Sequence, residues 1–184
     1  VKNIDWGNID IKGLALLVSA ELKKNNISAV LVGGACVSIY SHNKYVSMDL
    51  DYVSYSTLNE LRHAMEKIGF HQKSSRHFER TGCRFFVEFP PPPIAIGKEV
   101  PIREFEEIKA LTLLTPTDCV KDRLAAYYHW NDPQSLEQAL MVARSQPVDL
   151  RNVEKWSKKE GSLDKFHRFE SLLETNVHQA IKRL

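Results

Sequence analysis

Ser47-Met48-Asp49-Leu50-Asp51-Tyr52-Val53 is the stretch on which the reading of this chain turns. Residues Val46 to Tyr55 alternate as a strand does, so Ser47, Asp49 and Asp51 leave one face while Met48, Leu50 and Tyr52 leave the other. Two carboxylates side by side on one face repel each other. A fold tolerates the pair where water screens it or a cation sits between the two acids. Upstream, Ser28 to Val32 reads as a short apolar strand running into Gly33-Gly34, and a helical stretch, Ala35 to Tyr40, follows at once. A glycine turn at a helix N-terminus lets backbone N–H groups come close to a phosphate. Downstream, Phe85-Phe86-Val87-Glu88-Phe89 sets another carboxylate, Glu88, among apolar strand residues.

The remaining elements follow from periodicity and punctuation. Asp10 to Asn25 reads as an amphipathic helix, with Ile11, Leu14, Leu17, Val18 and Leu22 at helical spacing. Thr57 caps a helix that runs through Ile68 and stops at Gly69. His71 to Arg80 reads as one ragged strand, Gly82 as a turn, and Cys83 to Phe89 as the returning strand, ended by Pro90 to Pro93. Two short strands are expected near Glu104–Lys109 and Leu111–Leu114. Thr115-Pro116-x-Asp118 then starts a helix, Asp132-Pro133 starts another through about Ser145, and Asn152–Glu160 and Leu163–Leu184 follow, split at Gly161. The expected fold is α+β: a small mixed β-sheet with helices packed on one side, followed by a helical C-terminal part. The boundary falls near residue 115, giving an α/β core over 1–114 and a helical subdomain over 115–184.

Composition narrows the function classes. At 184 residues, with 43% hydrophobic and 26% charged residues, the chain can bury a core of its own. A formal net charge of +2 provides no basic stripe for tight, nonspecific nucleic-acid binding. Cys36, Cys83 and Cys119 are widely spaced without a CxxC pair, which indicates neither a disulfide framework nor a zinc ribbon and fits a reducing cytoplasm. His63, His71, His77 and Cys83 match no zinc spacing and read as surface or hydrogen-bonded residues. No signal peptide or membrane span is evident, and the chain opens on Val1 rather than Met, which points to a processed or trimmed start. In Thr115 to Leu124, the positions Asp118, Lys121, Asp122 and Ala125 share a helix side, so Lys121 is a candidate for a triphosphate contact, with Asp118 or Asp122 orienting it. Lys44, in the loop before the acidic strand, is a lesser candidate of the same kind.

The order of apolar strand, Gly-Gly, helix, Ser-x-Asp-hydrophobic-Asp and a later apolar-flanked acid resembles the polymerase-beta-type nucleotidyltransferase superfamily over roughly residues 28 to 90. The segment from Thr115 onward is similar to small bacterial nucleotidyltransferase-like proteins, among them the toxin halves of abortive-infection and toxin–antitoxin pairs. The resemblance implies transfer of a nucleoside monophosphate from a nucleoside triphosphate to an acceptor, with Mg²⁺ (or Mn²⁺) as cofactor. It assigns Asp49, Asp51 and Glu88 to metal binding and catalysis. It assigns Gly33, Gly34, Ser47 and Lys121 to the nucleotide's phosphates. The acceptor stays open between transfer RNA, a protein and a small molecule, and an antitoxin partner stays open too. A catalytically silent binding module built on the same fold is the alternative, as is a plain interaction module in which the C-terminal helices do the work.

Overall fold

The computed structural model describes residues 4–181. Its first helix, α1 (Ile11–Lys24), begins where Asp10 accepts a hydrogen bond from the Gly13 N–H. It leads into β1 (Ala29–Val32), α2 (Gly33–Tyr40) and β2 (Asp49–Ser54). Next comes α3 (Leu58–Lys67), whose start is a capping box: Thr57 and Glu60 each accept from the other's backbone N–H. The strands β3 (His71–Ser74), β4 (His77–Glu79), β5 (Phe86–Glu88), β6 (Phe105–Ile108) and β7 (Leu111–Leu114) follow. The chain then continues as α4 (Pro116–Trp130), α5 (Pro133–Ser145), α6 (Leu150–Glu160) and α7 (Leu163–Ile181). The end of the helix expected over Leu163–Leu184, residues 182–184, lies outside the described residues.

The strands form one seven-stranded mixed sheet in the order β3-β4-β5-β2-β1-β7-β6. β1 runs antiparallel to β2 and parallel to β7, and β2 runs parallel to β5. Strand pairing aligns the apolar residues of one face. Leu31 lies opposite both Tyr52 and Leu113, and Leu50 opposite Val87, and all five are fully buried. Helix α1 covers this face, where the Tyr52 hydroxyl donates to the Ala15 carbonyl at 2.9 Å and meets Ser19 Oγ at 3.0 Å. Removing such a side chain, as in Leu50→Ala, costs about 2–5 kcal/mol, because the close-packed surroundings relax only in part. The other face carries Asp49, Asp51 and Glu88, each only partly buried.

Beyond β7 every described element is helical. The Thr115 hydroxyl accepts from the Asp118 N–H to start α4, and Asp132 caps α5. The hydrophobic core continues without a break from α1 into these helices. In the helical part, the Tyr128 ring stacks on Trp156 at 5.5 Å between centroids, and its hydroxyl meets Ser157 Oγ at 2.8 Å. The segment between β5 and β6 is strapped to α6. The buried carboxylate of Glu160 accepts from the Lys98 N–H at 2.7 Å, and Trp156 Nε1 donates to the Ile96 carbonyl.

Three local readings of the sequence need correction. His71 to Arg80 is a hairpin of two strands, turned at Ser75 with φ +37°, and not one ragged strand. Alternation alone does not register a turn made by serine. Strand β2 begins at Asp49, three residues later than expected, so Met48 lies ahead of it and is 48% exposed. Helix α2 begins at Gly33 itself, so the two glycines form its first turn rather than a loop ahead of it.

Candidate active site

Gly33 sits in the left-handed region at φ +70°, which glycine reaches without the steric cost a Cβ brings. It also lies against Asp51: a Cβ on Gly33 would stand 2.8 Å from Asp51 Oδ2. The approach follows from β1–β2 pairing, which sets Val32 opposite Asp51. Gly34 packs in the same way on Ser47, whose Oγ would be 2.6 Å from a Gly34 Cβ. Ser38, one turn further along α2, ties these parts together. Its hydroxyl donates to the Gly34 carbonyl at 3.2 Å and accepts from the Ser47 N–H at 2.9 Å. The Ser47 hydroxyl donates to Asp49 Oδ1. The two glycines, Ser47, Asp49 and Asp51 thus form one contiguous cluster, in which Gly33, Gly34 and Ser47 are buried and the two acids are partly exposed.

Parallel pairing of β2 with β5 places Asp51 opposite Glu88 and Asp49 opposite Phe86, so the three acids share a sheet face. Burial first, and then the charges of Asp49 and Glu88, push the Asp51 carboxyl up to about 7. Asp122 adds to this from α4, and the Arg123 guanidinium opposes it. Glu88 is also engaged from its other side. His77 lies opposite it across β4–β5, and His77 Nδ1 is 2.7 Å from Glu88 Oε1. His77 Nε2 in turn lies 2.9 Å from Glu79 Oε1. Among the described residues, no group of three or more His, Cys, Asp or Glu side chains is arranged to hold a metal ion. Asp49 and Asp51 are a neighbouring pair of hard oxygen donors, and Glu88 stands beside them with its carboxylate turned to His77.

Lys121 is held elsewhere. Its ammonium is buried and paired with Asp118 at 3.0 Å and Glu99 at 3.1 Å. The next residues on α4, Asp122 and Arg123, are the ones whose charges reach Asp51. Arg123 Nε donates to Asp122 at 3.0 Å and Nη1 to Gln138 at 3.3 Å. The charged trio Lys121-Asp122-Arg123 lies on α4, as its spacing predicts, and helical phase alone does not tell which side of that helix meets the sheet. Lys44 is exposed, with its Nζ 3.5 Å from Ser145 Oγ. His63 and His71 are exposed, whereas His77 is the histidine that joins the acidic face. A signal for His77 was present in the alternation of His77-Phe78-Glu79, but its partner depended on which strands pair. A cavity of about 480 Å³ lies between α1, the ends of β1 and β2, and the β6–β7 turn, and none of the three acids lines it.

No protein-family model and no curated protein sequence matches the chain. Among solved structures, the solution structure of the antibiotic-resistance factor ANT(2'')-Ia aligns with a TM-score of 0.55 and 15% sequence identity, covering 93% of this chain and 100% of that one. At that identity the likeness is one of fold. It agrees with the α+β, nucleotidyltransferase-like architecture expected from the sequence. No described helix is long and apolar enough to cross a membrane.

Proposed function

We propose that this protein transfers a nucleoside monophosphate from a nucleoside triphosphate to an acceptor, with a divalent cation held at Asp49 and Asp51. The observation that carries this reading is the contact of Gly33 and Gly34 with Asp51 and Ser47, in a fold of nucleotidyltransferase type. Phosphate-accepting backbone and acidic strand are in direct contact, as positioning and charge stabilisation of a phosphoryl centre require.

The donor set suits a small hard cation such as Mg²⁺ or Mn²⁺. Asp49 and Asp51 are oxygen donors whose mutual repulsion helps keep Asp51 near half protonation at neutral pH, and a cation relieves that repulsion. When bound, such an ion neutralises charge on the phosphates and lowers the pKa of a bound hydroxyl. The chain's own groups do the rest. Backbone N–H groups at the start of α2 and the Ser47 hydroxyl bind phosphate oxygens. Glu88, in register with Asp51, accepts the proton of the attacking acceptor hydroxyl. Arg123, near Asp51, balances part of the acidic charge. Lys121 keeps a phosphate role only if it leaves Asp118 and Glu99.

The test is incubation with each labelled nucleoside triphosphate, with Mg²⁺ or Mn²⁺, and with transfer RNA, protein and small-molecule acceptor pools. Labelled acceptor that disappears in Asp49→Asn supports the reading. Cation-dependent nucleotide binding without transfer to any acceptor replaces it with the silent binding module.

A further inference from the structure

Val30, Val53, Ile102 and Phe105 wall the cavity of about 480 Å³ at the far end of β1 and β2 from the acids. Strand pairing fixes that separation. Val32 lies opposite Asp51, whereas Ala29 and Ser54, which line the cavity, pair three residues away, about 10 Å along the strands. The walls are held in place. Segment 94–102 is closed on itself: the Ile102 N–H donates to the Ile94 carbonyl at 3.0 Å, and Ile96 and Glu99 exchange backbone hydrogen bonds at 3.1 Å. Ile94 and Ile102, at the base of this segment, line the cavity. Its tip is pinned to α6 and α4, through Ile96 to Trp156, Lys98 to Glu160 and Glu99 to Lys121. The Ser19 and Ser54 hydroxyls, also on the lining, are engaged with Tyr52 and the Ser28 carbonyl. Fixed walls keep such a cavity from collapsing, and its volume lies within the roughly 300–1,000 Å³ of preformed small-molecule sites. Tyr55 lines it and is 80% exposed, so the cavity opens to solvent there.

Two ammonium groups stand at this apolar cavity without an ion-pair partner. Lys23, in the last turn of α1, and Lys109, in the β6–β7 turn at φ +58°, both line it and are exposed. Neighbouring Lys24 pairs with Glu21 at 3.5 Å, but Lys23 and Lys109 have no hydrogen bond or ion pair among the described residues. Glu107 is the one carboxylate among the described lining residues, so the lining carries an excess of positive charge. We propose that this cavity is a second binding site, specific for a small amphipathic anion. Its apolar body packs against Val30, Val53, Ile102 and Phe105, and its carboxylate or sulfonate is drawn to Lys23 and Lys109 at the rim. Charge complementarity sets the class. An anionic head gains charge-assisted hydrogen bonds from the ammonium groups, whereas a cationic head meets them as repulsion. Burial of the apolar body supplies affinity at about 25 cal/mol per Å². Neither the acids nor the glycines of the candidate active site line the cavity, so the proposal is independent of the nucleotide reading.

The experiment titrates two fluorescent probes of matched shape, anionic anilinonaphthalene sulfonate and uncharged N-phenylnaphthylamine, into wild type and four variants. The double variant Lys23→Gln/Lys109→Asn should bind the sulfonate about fivefold or more weakly, as loss of charged hydrogen bonds does, and the neutral probe within about twofold of wild type. Asparagine suits the left-handed backbone at position 109. Glu107→Gln should bind the sulfonate more tightly, because it removes the opposing charge. Ala110→Trp, which fills the cavity from its lining, should weaken both probes about tenfold or more. Asp49→Asn should bind both as wild type does. Unchanged sulfonate affinity in the lysine double variant overturns the proposal, and so does an equal loss of both probes in that variant; neither result depends on whether Ala110→Trp folds. Undiminished binding in a folded Ala110→Trp, or loss of the sulfonate in Asp49→Asn, places the probe elsewhere and overturns it too. Absence of sulfonate binding in wild type overturns it while leaving the nucleotide reading untouched.

Discussion

Gly33 and Asp51 approach so closely that a single methyl group on Gly33 would stand 2.8 Å from Asp51 Oδ2. A positive φ of +70° at Gly33 adds backbone strain to any substitution there. Gly33→Ala should therefore destabilise the protein by about 1–3 kcal/mol in urea unfolding, and cation-dependent nucleotide binding should fall with it. An unchanged unfolding midpoint would show that the acidic strand moves aside at no cost.

Gly34 meets Ser47 rather than an acid, and its backbone is not in the left-handed region. Gly34→Ala collides with the Ser47 hydroxyl, so its cost should be partly relieved by Ser47→Ala. The two changes should be non-additive by about 0.5 kcal/mol or more in a double-mutant cycle, as expected for residues in contact. Strict additivity would place the strain of Gly34→Ala somewhere other than Ser47.

The stability of the metal-free protein should fall as pH rises from about 5 to 8. Asp51 binds its proton more tightly in the folded chain, near 7, than at its ordinary value of 3.8. Its contribution is therefore complete below 3.8 and is lost as pH rises through 7. His77 acts in the same direction. Its hydrogen bond to Glu88 raises it above 6.5, so its contribution is present below 6.5 and is lost as pH rises through the raised value. Asp5, Glu60 and Asp132 are lowered by local hydrogen bonds, so their contributions disappear only at the acid end, as pH falls below about 4. The slope from Asp51 is at most about 1.4 kcal/mol per pH unit. Thermal melts of Asp51→Asn should be distinctly flatter than wild type between pH 5 and 8; a parallel profile would remove Asp51 as the source.

Asp49→Asn should be at least as stable as wild type in metal-free buffer at pH 8, because it removes a charge that raises Asp51. The same variant should show no rise in melting temperature with Mg²⁺ and a nucleoside triphosphate, where wild type should show one. A shift retained in the variant would place the cation away from Asp49.

Lys121→Met should damage folding more than phosphate handling. It leaves Asp118 mostly buried without its cation, and loses Glu99, which is about half exposed. Removing one partner of a buried pair costs about 3–5 kcal/mol, less here because Glu99 regains water. Triphosphate affinity of the folded fraction should be close to wild type. Affinity lost in a variant of unchanged stability would return Lys121 to the phosphate site.

The sequence alone determined which stretches become helix and strand wherever chemistry is local. Thr57, Thr115 and Asp132 start helices where their side chains say they do, since a cap needs only residues two or three positions away, and Asp10, expected inside the first helix, caps it instead. The alternation of Asp49, Leu50, Asp51 and Tyr52 likewise determined that both acids share a face, because strand side chains have a period of two. What lies across strands was decided only in three dimensions. Local periodicity says nothing about which strand neighbours which, so the pairing of Asp51 with Glu88 and of Glu88 with His77 came from sheet order. The same holds for α4. Its charged residues were legible, but packing against the sheet put Asp122 and Arg123 near Asp51 and closed Lys121 into an ion pair with Asp118 and Glu99. A buried ammonium needs partners on whatever element covers it, and only the tertiary structure says which element that is.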